Sequence, residues 1–186
     1  MLILPDYYCN MRKLKNEELN RISTFEFKAS EKMPVVIILD NIRSLNNIGS
    51  VFRTADAFRI KKICLCGITG KPPHREIHKT ALGATESVDW EYYKNSMDAI
   101  LEIKNDGYRM IAVEQMERSM QLHQFQPKKN EKIALIFGNE INGVSDEIIP
   151  TVDECIEIPQ FGTKHSFNIA VSAGIVLWHI FFTSNL

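Results

Sequence analysis

The 186-residue sequence has little charge of either sign in excess and lacks a long uninterrupted apolar run. Its most apolar stretch, residues 169–182, is shorter than the roughly 20 residues that a bilayer requires, and it contains Ser172 and His179. The formal net charge of −1 argues against a protein that coats nucleic acid by bulk charge, although it allows a local basic patch. We therefore expect no membrane partner.

Cysteine is also scarce, with four residues in the chain. Cys64 and Cys66 are two positions apart in an apolar run, so they would share one face of a strand. No second Cys or His pair has the spacing of a zinc site, and we expect no metal. The apolar start, residues 2–4, is interrupted by Pro5 and is too short for a signal peptide. Scattered cysteines without a signal favour a cytoplasmic location.

Two nucleotide-binding patterns are missing, G-x-G-x-x-G and G-x-x-x-x-G-K-[ST], which makes a dinucleotide or nucleoside triphosphate ligand a weak hypothesis. The sequence instead alternates short apolar runs with helical periodicity, which predicts an α/β fold: a mostly parallel sheet with helices on both faces. The run 35–39 is apolar at every position, as in a central parallel strand. Strands are predicted at 35–39, 62–66, 108–113, 133–137 and 155–158, and helices at 46–58, 96–105 and 166–182.

The N-terminal residues read differently from the rest. Residues 1–33 are interpreted as an extension, with a short polar helix at 11–22 and a linker at 23–33, and residues 34–186 as the main domain. Ser145 and Ser166 each precede a helical pattern, so both are predicted to be helix N-caps.

The first segment that carries chemistry is NNIGSVFRTADAF, residues 46–58. Gly49 allows close approach of another group, and Arg53, four residues later, shares its helix face. An arginine side chain binds phosphate through two parallel hydrogen bonds. The alternative is a solvent-facing arginine on an amphipathic helix.

The second segment, residues 133–149, is an apolar strand that runs into Gly138, Asn139 and Glu140, followed by Gly143. Ligands of α/β sheets bind at the carboxyl ends of strands, so this loop is a candidate binding loop. Glu140 is either a carboxylate of the site or a salt-bridge partner, and an ordinary turn between strand and helix is the alternative.

The third segment, residues 158–180, begins with a strand end and a turn that contains Gly162. Ser166 and Asn168 follow at the start of the last helix. The amide of Asn168 would need hydrogen-bond partners if it were buried. Residues 162–165 are therefore candidates for the border of a ligand pocket.

Together and in this order, the three segments resemble the signature of the SpoU (TrmH) family in the SPOUT superfamily. The matching patterns are N-x-G-x-x-x-R at 47–53, G-N-E-x-x-G at 138–143 and I-P-x-x-G-x-x-x-S-x-N at 158–168. The resemblance covers roughly residues 35–182. It implies a homodimeric RNA ribose 2′-O-methyltransferase that uses S-adenosylmethionine and has a C-terminal deep trefoil knot.

The resemblance also implies a set of site residues. The catalytic arginine would be Arg53, with Asn47, Glu140 and Asn168 supporting the site. Gln160 and Ala170 depart from the common pattern, in which methionine and serine are frequent. The cofactor-binding residues would be Val113, Glu114, Gly138, Ile158, Ser166 and Phe167, the last of which replaces a frequent leucine.

RNA is the implied substrate, and we favour tRNA over ribosomal RNA. The basic residues expected to bind it are Arg59, Lys61, Lys62, Arg75 and Lys79, although such clusters are often only solvated faces. One alternative is a non-catalytic RNA-binding dimer of the same fold, which the intact Arg53 and Asn168 disfavour. Another is an enzyme that methylates a base nitrogen, which the N-x-G-x-x-x-R segment disfavours.

Overall fold

The computed structural model describes residues 12–184 and contains one seven-stranded sheet in which every neighbouring pair of strands is parallel. The strand order is β3-β2-β1-β6-β4-β7-β5. The strands are β1 (Met33–Asp40), β2 (Ile60–Cys66), β3 (Trp90–Tyr93), β4 (Arg109–Val113), β5 (Met120–Gln121), β6 (Ile133–Phe137) and β7 (Glu154–Glu157). The predicted central place of the first strand is confirmed, because β1 lies between β2 and β6.

Helices cover both faces of this sheet. They are α1 (Thr24–Ala29), α2 (Leu45–Ala57), α3 (Arg75–Ala81), α4 (Ala84–Ser87), α5 (Ser96–Asn105) and α6 (Ile169–Ser184), with 3-10 turns at Asn16–Leu19, Leu122–Gln124 and Ile149–Thr151. Within residues 12–184, none of the helices is both long and apolar enough to cross a membrane.

The alternation of side chains along β1 separates two cores. Ile37 and Leu39 face α1, α2, α3, α4 and α6, whereas Val36 and Ile38 face α5 on the other side. All of these side chains are buried, which explains why β1 is apolar at every position. The predicted α/β class with helices on both faces is confirmed. The trefoil knot stays a prediction.

The N-terminal segment differs from its prediction. Residue 11 lies outside the described residues, and 12–22 form only the single 3-10 turn at Asn16–Leu19. No residue of 12–22 is buried, so no packing supports a helix there, and the predicted helix is wrong. The predicted linker instead contains α1, because Ser23 and Glu26 form a capping box and Phe27 enters the core. The division at residues 33 and 34 stays a prediction.

Both predicted N-caps are wrong. Ser145 forms hydrogen bonds with another residue, and a residue other than Ser166 caps the last helix. The backbone N–H and the hydroxyl of Ser145 donate to Asp40 Oδ2, at 2.9 and 2.7 Å, and only a turn follows. Helix α6 begins at Ile169, and Asn168 caps it, because its Oδ1 accepts the Ala170 N–H at 2.9 Å.

Asp40, at the end of β1, connects three parts of the fold. Its side chain is buried and accepts hydrogen bonds from Ser96 Oγ at 2.6 Å and Asn41 Nδ2 at 2.8 Å, besides the two from Ser145. Ser96 begins α5, and Ser145 closely follows the loop after β6. One carboxyl group therefore anchors β1, α5 and that loop to each other.

Candidate active site

A cleft of about 330 Å³ opens at the carboxyl ends of β4, β6 and β7, which are neighbours in the sheet. Because the three strands are parallel, their ends meet at one edge, where ligands of α/β sheets bind. Val113, Phe137 and Ile158 give the cleft an apolar part, while Glu114 and Glu157 add carboxylates.

The cleft brings together the predicted residues of all three motif segments. The described lining includes every predicted cofactor-binding residue: Val113, Glu114, Gly138, Ile158, Ser166 and Phe167. Asn47, Glu140 and Asn168 line it as well, but Arg53 does not. Their chemical roles remain predictions.

A chain of hydrogen bonds links one residue from each segment. Asn168 Nδ2 donates to Asn47 Oδ1 at 3.0 Å, and Asn47 Nδ2 donates to Glu140 Oε1 at 3.3 Å. The backbone N–H groups of Arg43 and Ser44 also donate to the Glu140 carboxylate, each at 3.0 Å. The start of α2, the loop after β6 and the start of α6 are thus held at the same edge of the cleft.

The pKa of the Glu140 carboxyl is lower than its ordinary value. Desolvation alone would raise the pKa, but the N–H groups of Arg43 and Ser44 and the amide of Asn47 outweigh that effect. Glu140 therefore stays an acceptor at neutral pH, and this favours the orientation of the Asn47 amide seen in the chain of hydrogen bonds.

The loop that carries Glu140 leaves no room for a side chain at Gly138. A methyl group there would lie under 3.0 Å from the backbone of Gly143 and Val144. Gly143 has a φ of +71°, and its N–H and C=O exchange hydrogen bonds with Asn139 at 2.9 and 2.8 Å. Backbone atoms therefore form this wall of the cleft.

Sequence reasoning missed Glu157 as a polar residue of the cleft. Glu157 lines it and has no hydrogen bond or ion pair from its side chain to the rest of residues 12–184. Gln115 lines it too, and its Nε2 donates to the carbonyl of His165 at 2.5 Å, which ties the third segment to the end of β4. The position of Glu157 at the end of a strand was the available signal.

Arg53 lies on a different side of α2 from Asn47. Six residues separate them, so their side chains project roughly 120° apart at 3.6 residues per turn. Arg53 is exposed and lies in a second cleft, of about 450 Å³, which Ser23 and Gly83 also line. Its guanidinium group has no hydrogen bond or ion pair within the part of the chain that is described.

The predicted RNA-binding residues differ in how free their charges are. Lys62 forms ion pairs with Glu91 at 3.0 Å and Glu102 at 3.2 Å, and Lys79 forms one with Glu76 at 3.3 Å. The other three predicted residues, Arg59, Lys61 and Arg75, are exposed, and their side chains form no ion pair among residues 12–184. RNA binding by these residues stays a prediction, with less free charge at Lys62 than the sequence suggests.

The cysteines of the described part are free thiols. Cys64 and Cys66 share the same buried face of β2, as the spacing predicts, and burial raises the pKa of the Cys64 thiol to about 12. Cys9 lies outside the described residues. No group of three or more His, Cys, Asp or Glu residues between 12 and 184 is arranged to hold a metal ion.

The fold and the cleft define a class: an α/β domain whose ligand site is built at the carboxyl ends of parallel strands, with backbone forming one wall. Residues 34–178 match the model of the SpoU rRNA Methylase family. The chain belongs to this family, which confirms the resemblance found in its three motif segments.

Its relatives include enzymes named for different RNAs. The chain is 28% identical over 146 residues to the tRNA (guanosine(18)-2′-O)-methyltransferase of Borreliella burgdorferi, covering 78% of this chain and 65% of that one. It is 31% identical over 144 residues to the 23S rRNA (guanosine-2′-O-)-methyltransferase RlmB of Neisseria meningitidis, covering 77% of this chain and 56% of that one. The chain thus spans less than two thirds of the length of either relative.

Solved structures share the fold. The TrmH/SpoU tRNA modifying enzyme of A. aeolicus superimposes with a TM-score of 0.76 at 24% identity, covering 87% of this chain and 82% of that one. The AdoMet-bound rRNA methyltransferase of Sinorhizobium meliloti gives a TM-score of 0.74 at 26% identity, covering 82% and 58%.

Proposed function

We propose that this protein transfers a methyl group from S-adenosylmethionine to a ribose 2′-hydroxyl of RNA. The observation that carries the proposal is the hydrogen-bonded chain from Glu140 through Asn47 to Asn168 at the cleft edge. It joins the three motif segments of a chain that belongs to the SpoU family. Relatives named as RNA 2′-O-methyltransferases support the same reaction.

The cleft suits S-adenosylmethionine in shape and charge. Its backbone wall at Gly138 and its apolar residues suit an adenosine group, while the carboxylates of Glu114 and Glu157 suit a ligand with a sulfonium and an ammonium group. Bound there, the cofactor supplies a methyl group activated by the positive sulfur. Glu114 also accepts the N–H groups of Gln115 at 2.9 Å and Val144 at 3.2 Å, which fixes its position.

Arg53 acts on the RNA in this proposal. An arginine side chain is charged throughout the physiological pH range, so it is a poor proton acceptor. It contacts the phosphate next to the reacting ribose and stabilises the negative charge that develops on the 2′-oxygen. That oxygen forms the new bond to the methyl carbon while the bond from carbon to sulfur breaks and its electron pair stays on sulfur. The hydroxyl proton passes to water.

The proposal includes a homodimer. Within one chain Arg53 is outside the cofactor cleft, so the catalytic set is incomplete without a second copy. Helix α6 offers an apolar surface for that copy, since Val171, Trp178 and Phe182 are 49%, 56% and 52% exposed. A second protomer that covers α6 would bury this surface.

We favour tRNA in the cytoplasm as the substrate. One relative of this chain is named for 23S rRNA, so ribosomal RNA is tested beside tRNA. The assay incubates the protein with each unmodified RNA and S-adenosylmethionine, and then maps ribose methylation by mass spectrometry.

Replacing Arg53 with alanine tests the chemistry. We expect Arg53→Ala to abolish methylation while calorimetry shows wild-type affinity for S-adenosylmethionine, because Arg53 is outside the cofactor cleft. Arg118→Ala, which removes an exposed arginine that lines neither cleft, is the matched control. Full turnover by Arg53→Ala would refute its role. A wild-type protein that binds RNA but neither binds the cofactor nor methylates would instead be the non-catalytic RNA-binding dimer.

A further inference from the structure

The cleft around Arg53 has a wall that the motif segments do not supply. It is about 450 Å³ in volume and lies between residues 20–24, the exposed side of α2, and residues 81–84 at the turn between α3 and α4. The sequence predicts that the N-terminal segment is only an extension. In the structure, this segment forms one side of the cleft that Arg53 lines.

Three arginine side chains from separate parts of the chain line this cleft: Arg21, Arg53 and Arg59. All three are exposed, and none forms a side-chain hydrogen bond or ion pair within residues 12–184. Arg12 and Arg109, by contrast, are paired with carboxylates of Glu18 and Glu154 at 2.6 and 2.5 Å. The arginines of the cleft therefore have guanidinium groups available for an external anion.

The acidic residues of the cleft neutralise these charges only in part. Asp56 accepts a hydrogen bond from the Ser87 hydroxyl, and Glu86 is exposed. Three arginines against two carboxylates leave an excess of one positive charge. Unpaired guanidinium groups in a concave surface are suited to phosphate, which they bind with two parallel hydrogen bonds.

The position of Arg21 is fixed by the structure that follows it. Ser23 caps α1, with its backbone N–H donating to Glu26 at 2.7 Å and its hydroxyl accepting from the Glu26 N–H at 3.2 Å. Phe27 in the same helix is 3% exposed and belongs to the main core. Arg21 is two residues before this cap, so its backbone is held at the edge of the cleft.

We infer that Arg21 binds a phosphate of the RNA backbone next to the one that Arg53 contacts, in the cleft that Arg59 also lines. This inference rests on the proposed function, because the anion is a phosphodiester of the RNA substrate. The N-terminal segment is then a part of the substrate site that positions RNA without reading its bases.

Salt dependence of RNA binding tests the inference. Each lost phosphate contact lowers the slope of log affinity against log salt by about 0.7 to 0.9. We expect Arg21→Ala to lower the slope by this amount and to weaken binding of an unmodified tRNA transcript about tenfold, the effect of one charged contact worth about 1.4 kcal/mol. The KM for RNA rises while kcat and the affinity for S-adenosylmethionine stay unchanged.

Lys28→Ala is the matched control, because it removes one exposed positive charge from the same segment outside the cleft. Arg21→Lys should keep the salt slope and recover part of the affinity. The inference would be overturned if the salt slope of Arg21→Ala equalled the slopes of wild type and Lys28→Ala. In that case, methylation of RNA by the wild-type protein would still support the proposed function. Failure of the wild-type protein to methylate any RNA would overturn the proposed function itself.

Discussion

Replacing Asp40 with asparagine should destabilise the fold, an effect that the sequence alone does not predict. Each carboxyl oxygen of Asp40 faces a group that can only donate: Oδ1 faces the Asn41 amide nitrogen and Oδ2 faces the Ser145 backbone N–H. The Asn41 amide cannot simply turn over, because its own oxygen accepts the Ile68 N–H at 3.2 Å. In either orientation, the new NH₂ group at position 40 therefore meets a donor.

The magnitude follows from these contacts. One hydrogen bond is lost, and its donor stays without a partner next to a fully buried side chain, which costs about 1–3 kcal/mol. The serine hydroxyls of Ser96 and Ser145 can rotate and limit further loss. We expect the free energy of unfolding to fall by about 2–3 kcal/mol, which lowers Tm by roughly 5–10 °C for a chain of this size.

Urea unfolding, followed by tryptophan fluorescence, measures the change, and Asp146→Asn is the matched control. Asp146 is exposed and makes no side-chain hydrogen bond within the described residues, so its variant should remain within about 0.5 kcal/mol of wild type. An Asp40→Asn protein as stable as that control would refute the reasoning, since it would mean that neither donor depends on the carboxylate.

Three further changes test other parts of the structure. Gly138→Ala should abolish cofactor binding by calorimetry, because the methyl group would press on the backbone of Gly143, and retained binding would contradict this. Gly49→Ala should cost more than about 2 kcal/mol because it meets the backbone of α3, whereas Gly174→Ala, with open space around it, should stabilise α6 slightly. Cys64 should not react with a disulfide reagent at pH 8 until the protein unfolds, because its pKa is about 12. Since that pKa is raised from 9.0, its contribution to stability is complete below pH 9 and is lost as pH rises towards 12, which urea unfolding at pH 8 and 10.5 would detect.

Most of the sheet could be predicted from local pattern because its strands are buried on both faces. Residues 133–137 and 96–105 form a strand and a helix with the predicted bounds. The N-terminal segment could not be predicted in this way. The apolar residues at 12–22 are not buried against the rest of the protein. Phe27, in the stretch predicted to be a linker, is buried in the core. Tertiary packing, which periodicity does not reveal, decides between the two.

The residues of the cleft were predicted as a set only through the resemblance to the SpoU family, and the ends of parallel strands that meet at one edge explain why they lie together. What the spacing could not show is which side chains point there. Arg53 shares a helix face with Gly49, as predicted, yet Gly49 packs against α3, so that face leads away from the cofactor cleft. The structural role of Asp40 could not be predicted either, because its hydrogen-bond partners Ser96 and Ser145 are distant in sequence.

The hydrogen bond between Asn47 and Asn168 joins residues 121 positions apart. During synthesis on the ribosome, the cleft consequently cannot form until the chain has emerged beyond residue 168 and α6 has packed in place. A ligand that binds this cleft recognises only molecules in which both segments have folded together, and at 100 times its Kd it would add about 2.7 kcal/mol to their stability. Supply of that ligand would then raise the folded fraction of the protein, apart from any effect on turnover.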